Sequence, residues 1–81
     1  MDAKTIKNFF KTNFNLSTRV SSGKRFVQAW ADGGDFPLDI RVKALTIIYG
    51  PAFDSTNGNA GNVSSHGIAM TRDQWTKLVS T

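Results

Sequence analysis

The sequence predicts an α+β domain: a small antiparallel sheet, made of a hairpin plus a candidate third strand, packed against two main helices and a short C-terminal helix. Three observations predict it. Apolar residues at helical spacing open the chain, two alternating runs follow around Ser21-Ser22-Gly23-Lys24, and an apolar stretch then stops at Gly50-Pro51.

The first helix is predicted over residues 2–14. Ala3, Ile6, Phe10 and Phe14 recur at spacings of three and four, with Phe9 on the flank of that stripe. Asp2 stands where an N-cap belongs and suits the positive end of the helix dipole. Asn13 and Asn15 mark the exit. Residues 16–20 then alternate, with Leu16, Thr18 and Val20 on one face and Ser17 and Arg19 on the other. Residues 21–24 carry turn chemistry, with Gly23 free to take positive φ, and residues 25–31 alternate again. Phe26 and Trp30 share one face of this second run, with Gln28 between them, and the two rings are assigned to the core.

The second helix is predicted over residues 36–49. Pro37 fits its first turn, where a missing N–H costs nothing, with Asp35 or Phe36 ahead of it as cap. Leu38, Val42, Leu45, Ile48 and Tyr49 form its stripe, widened by Ile40 and Ile47. Gly50 suits a left-handed C-terminal residue, and Pro51 forbids continuation. Residues 54–66 form a polar, mobile loop in which Asn57-Gly58 suits a tight turn. Residues 68–70 are the candidate third strand. Thr71 and Gln74 make a capping box, with Met70 and Trp75 as its staple, so a final helix is predicted over residues 71–79. The chain, residues 1–81, divides no further.

Composition narrows the function classes. A chain of 81 residues has one modest core and buries roughly 60% of its unfolded surface. Without cysteine it has no disulfide, no thiolate metal site and no thiol nucleophile. No apolar run approaches the ~18 residues of a membrane span. Lys4, Lys7 and Lys11 interrupt any signal-peptide core, so an intracellular home is expected. The formal net charge is +4, and residues 1–31 hold six Lys or Arg against Asp2 alone. Such a basic half favours polyanions or an acidic protein surface. The alternative is a solvated face.

Candidate chemistry is sparse. A nucleophilic site would have to use His66, the one histidine, with Ser64 and Ser65 beside it and Asp54 as the nearest acid upstream. Neighbours along a loop seldom have triad geometry, and no catalytic residue is expected. Asp32, Asp35 and Asp39 lie near two glycines, yet their spacing is not that of a calcium loop and the chain lacks glutamate. Turn and cap roles account for all three, and neither a metal nor another cofactor is expected. The glycines of the 54–66 loop meet neither phosphate-binding spacing.

What remains is electrostatic. Lys4, Lys7 and Lys11 share a strip of the first helix, Arg19 points away from Val20, and Lys24 and Arg25 crown the hairpin. If helix and hairpin pack together, these six cations line one basic surface suited to phosphates. Aromatics for base stacking are not expected on it, because each Phe fits an apolar stripe or a turn.

Four stretches carry a resemblance: "TIKNFFKTNF" running into "LSTRVSSG", then "VQAWADGG", the apolar second helix, and Phe53-Asp54. They resemble a small domain associated with large polyvalent proteins of phages and conjugative elements, which also occurs as short stand-alone proteins. Its Ser-x-Arg and Trp-x-Asp-Gly segments match Ser17-Thr18-Arg19 and Trp30-Ala31-Asp32-Gly33 over roughly residues 4–54. The chain departs from it at Gly34, where proline is common, and in the added Phe36-Pro37-Leu38. The resemblance implies a phage, prophage or mobile-element protein in the cytoplasm of a bacterial host, with no catalytic residues to carry over. It further implies a binding module, acting on a protein partner and directed at host defence. A nucleic-acid-binding accessory protein using the six cations is the alternative, and no membrane partner is expected.

Overall fold

Asp2 starts the chain's first element. Its carboxylate accepts from the Thr5 N–H at 2.9 Å and from the Thr5 hydroxyl at 2.7 Å. Those bonds, the backbone one foremost, hold its pKa below the ordinary aspartate value. The helix α1 (Ala3–Phe14) ends at Asn15, which takes φ 52° and returns its N–H to the Lys11 carbonyl. A computed structural model describes residues 1–80. Thr81, the last residue of the expected domain, lies outside them. The remaining elements are β1 (Ser17–Ser22), β2 (Phe26–Asp32), α2 (Leu38–Tyr49), β3 (Gly67–Thr71) and α3 (Arg72–Val79). The α+β class and the third strand are therefore as the residues predicted.

The sheet is antiparallel in the order β1-β2-β3, with Arg19 opposite Trp30 and Trp30 opposite Gly67. Only two residues, Lys24 and Arg25, separate Gly23 from Phe26, whose carbonyl accepts the Gly23 N–H at 2.8 Å. The turn thus lies two residues later than expected, and Gly23 is not among the positive-φ residues. What Gly23 provides is room, since a Cβ there would sit 3.0 Å from the Phe26 carbonyl oxygen. Arg72 clamps the turn from α3, donating to the Lys24 carbonyl at 3.1 Å and to the Gly23 carbonyl at 2.6 Å.

One core forms between the sheet and all three helices. Ile6 and Phe10 of α1, Ile40, Ala44 and Leu45 of α2, and Trp75 and Leu78 of α3 meet Val27, Ala29, Ile68 and Met70 of the sheet. Phe10 sits at the centre of the rings, 5.0 Å from Phe36 and 6.1 Å from Trp75 by centroid. Trp75 is wholly buried and its indole N–H donates to the Val27 carbonyl at 2.7 Å, which removes the cost of an unpaired polar atom. The capping box of α3 forms as predicted, Thr71 and Gln74 bonding reciprocally.

Two assignments to the core are corrected. Phe26 and Trp30 do share a strand face, but it is the uncovered one: Phe26 is 42% exposed and Trp30 half-buried, while Val27 and Ala29 point inward. An alternating strand offers either of its faces to the core. Here the rings of Phe10, Phe36 and Trp75 already fill the interior, and the small Val27 and Ala29 are what fits beneath them. In α2 the inward seam is Ile40, Ala44 and Leu45, leaving Leu38 and Tyr49 exposed. That helix begins at Leu38, because Pro37 keeps an extended ψ of 146°, and Phe36 becomes a core plug.

The polar segment after Phe53 is pinned at several points. Arg41 reaches from α2 to the Phe36 carbonyl at 3.1 Å and to Asn59 Oδ1 at 3.1 Å. Gly58, at φ 71°, is buried against Leu38 and Arg41, and a Cβ on it would displace the Leu38 Cδ1 methyl, 2.5 Å away. Val63 enters the core and bridges to Ile68, while the Ala69 N–H donates to the Asn62 carbonyl at 2.9 Å. Residues 60–64 therefore cover the outer edge of β3, which blunts it against stray pairing.

Candidate functional site

Because the helices occupy one side of the sheet, the other side is left uncovered. Alternation places Ser17, Arg19 and Ser21 of β1 there, with Phe26, Gln28 and Trp30 of β2. From β3 it receives Gly67, Ala69 and Thr71. On this face each ring has an arginine over it. Arg19 lies 5.7 Å from the Trp30 centroid, and Arg25 lies 5.8 Å from that of Phe26. Both distances are within reach of a cation–π attraction, worth about 0.5–1 kcal/mol at an exposed site. The pairs hold the guanidiniums against the rings and make a platform whose charge and π surface coincide.

Beside Trp30 the face deepens into a recess of about 380 Å³. Gly67 and Ala69 of β3 lie between Trp30 and Gln28 of β2 on one side and Asn62 on the other, and His66 and Ser64 complete the lining. Gly67 is opposite Trp30 in the ladder, and a Cβ on it would sit 3.5 Å from the indole Cδ1. Ser64 shapes the rim by accepting the Gly67 N–H at 3.0 Å and the His66 N–H at 3.3 Å.

The six cations named from the sequence divide between two layers. Lys4, Lys7 and Lys11 are exposed on α1, in the helical layer on the covered side of the sheet. Arg19 is on the open face, Arg25 reaches over Phe26 beside it, and Lys24 shares the turn with Arg25. Sequence reasoning misses Phe26, Trp30, Gln28 and Asn62 as site residues. For the three residues of β2 the reason is volume: the large rings of other elements fill the core, so the alternation of β2 turns its own rings outward, while Asn62 carries no signal in the sequence.

The remaining candidates are dispersed. His66 Nδ1 lies 3.2 Å from Asp35 Oδ1 rather than near Asp54, and both side chains are well exposed. Asp54 instead accepts from Thr56, and Asp39 from the Ile40 N–H. Among the described residues no group of three or more His, Cys, Asp or Glu is placed to hold a metal ion. Among them, too, no helix is long and apolar enough to cross a membrane. No family model, curated protein or solved structure matches the chain.

Proposed function

We propose that this chain is a non-catalytic binding module for single-stranded nucleic acid, and that the uncovered face of its sheet is the binding surface. The observation that carries this reading is the pairing of each outward ring with an arginine: Arg19 over Trp30 and Arg25 over Phe26. Binding without base pairing needs a cationic track for phosphates and aromatic surface on which bases stack. Arg supplies both, as a charge and as a second stacking plane.

A protein partner, the first expectation from the resemblance, is supported less. Protein interfaces are also enriched in aromatics and Arg, but their fully buried centre is more apolar than the surface around it. Around its two rings this face is made of Ser17, Ser21, Gln28 and Thr71 with small residues of β3. The setting that goes with this reading is the cytoplasm of a bacterial host, on the strength of the likeness to phage and conjugative-element domains.

The test is fluorescence anisotropy with labelled single-stranded DNA and RNA across a salt series. Affinity is expected to fall with salt on a logarithmic slope of about −0.7 for each phosphate neutralised. Trp30→Ala and Arg19→Ala are each expected to weaken binding at least several-fold at one salt concentration. Absence of binding at low salt overturns the reading. If a host protein is then captured by the wild type and lost with Trp30→Ala, the same face is a protein-binding surface instead.

A further inference from the structure

The recess beside Trp30 belongs to the platform but differs from it in chemistry. A stacking platform binds any base, because every base has a π face. Discrimination needs hydrogen-bonding groups aimed at a base edge, and these are what the recess adds. Gln28 and Asn62 stand on opposite sides of it. Each amide offers a carbonyl acceptor and an NH₂ donor, the two kinds of group that alternate along the Watson–Crick edge of an unpaired base.

We propose that this recess is a base-reading subsite: one unpaired nucleobase stacks against Trp30 and is identified by the side-chain amides of Gln28 and Asn62. The inference rests on the nucleic-acid reading above. Four features support it. The volume of about 380 Å³ is at the small end of the range for small-molecule sites, roughly 300–1,000 Å³, which suits one planar unit rather than a larger ligand. The small residues Gly67 and Ala69 leave a flat approach to the indole. Arg19 reaches Trp30 from the β1 side, so the side of the ring toward β3 faces the recess.

The fourth feature is rigidity. Gln28 is in the middle of the central strand, with Ser21 and Ala69 as its partners in the ladder. The backbone of Asn62 is held to β3 through the bond from the Ala69 N–H. Both amides therefore project from fixed backbone, as a reading site requires. His66, at the rim, is tethered to the Asp35 carboxylate and its backbone carbonyl accepts the Ala31 N–H at 2.9 Å.

The test uses the full chain with labelled eight-nucleotide homopolymers of A, C and T or U, in deoxyribo and ribo forms, at one fixed salt concentration. One base is expected to be preferred over another by about tenfold or more. Gln28→Ala and Asn62→Ala are each expected to flatten that preference while leaving the salt slope as in the wild type. Both positions are exposed, and a thermal melt checks that the variants remain folded. Equal affinity for all homopolymers, or a preference that survives both substitutions, overturns the subsite and leaves the platform standing. Failure of every homopolymer to bind overturns both. A preference for ribo over deoxyribo strands with no preference among bases places discrimination at the sugar and also overturns base reading.

Discussion

The two tryptophans show how differently one residue type is used. Trp75 is fully buried, edge-on to Phe10, with its N–H bonded to the Val27 carbonyl. Truncating it removes the largest buried side chain and its bond to that carbonyl. Trp75→Ala is expected to cost about 3–5 kcal/mol, enough to unfold a domain of this size. Trp30→Ala is expected to cost much less, about 1–2 kcal/mol, because the half-buried ring lies on the open face, against Arg19 and Gly67. Urea denaturation of both variants checks the pair, and a Trp30 cost matching that of Trp75 would return Trp30 to the core. Thr18 carries a second prediction at this scale. It faces the core side of β1, and its buried hydroxyl has no hydrogen-bond partner among the described residues. Thr18→Val keeps the shape and the β-branching while removing the unpaired group. It is expected to stabilise by roughly 1 kcal/mol in the same assay. A loss of stability would show that the hydroxyl is satisfied after all.

At the scale of the elements, legibility follows the range of the interaction. The Asp2 cap, the Asn15 exit and the Thr71–Gln74 box are bonds between residues three or four apart, and each is readable from its neighbours. The face of β2 is not, because its choice depends on rings brought in from α1, α3 and the lead-in to α2. The site inherits that gap: Arg19 and Arg25 are legible as cations, whereas their aromatic partners and Asn62 depend on tertiary packing. The turns of the polar segment are partly legible through Asn57-Gly58. What composition does not show is that Gly58 is buried beneath α2. Gly58→Ala combines a positive φ with a collision against Leu38 and is expected to destabilise by about 1–3 kcal/mol. Gly33, at φ 82° with open space around it, meets no such collision. Gly33→Asn is therefore expected to stay within about 1 kcal/mol of the wild type, since Asn tolerates left-handed backbone. Thermal melts compare the two, and equal losses would mean that strain, not packing, governs Gly58.

For the whole molecule, the decisive fact is that the sheet separates two groups of cations. Total charge alone predicts that removing more lysines weakens nucleic-acid binding more. The proposed surface predicts the reverse ordering. Substituting Lys4, Lys7 and Lys11 by Gln lowers the formal charge from +4 to +1, but alters only the helical layer. Substituting Arg19 and Arg25 by Gln leaves a charge of +2 and strips the guanidiniums from both rings. At an ionic strength of about 0.15 M, charges separated by more than about 8 Å are largely screened, so lysines behind the sheet contribute little to a ligand on its open face. The double arginine variant is therefore expected to bind single strands at least tenfold more weakly than the triple lysine variant, despite its higher charge. Its logarithmic salt slope should become shallower by about 0.7 for each phosphate that is no longer neutralised, whereas the triple variant keeps nearly the wild-type slope. The opposite ordering would move the phosphate track to α1 and make the paired rings of the open face incidental to binding.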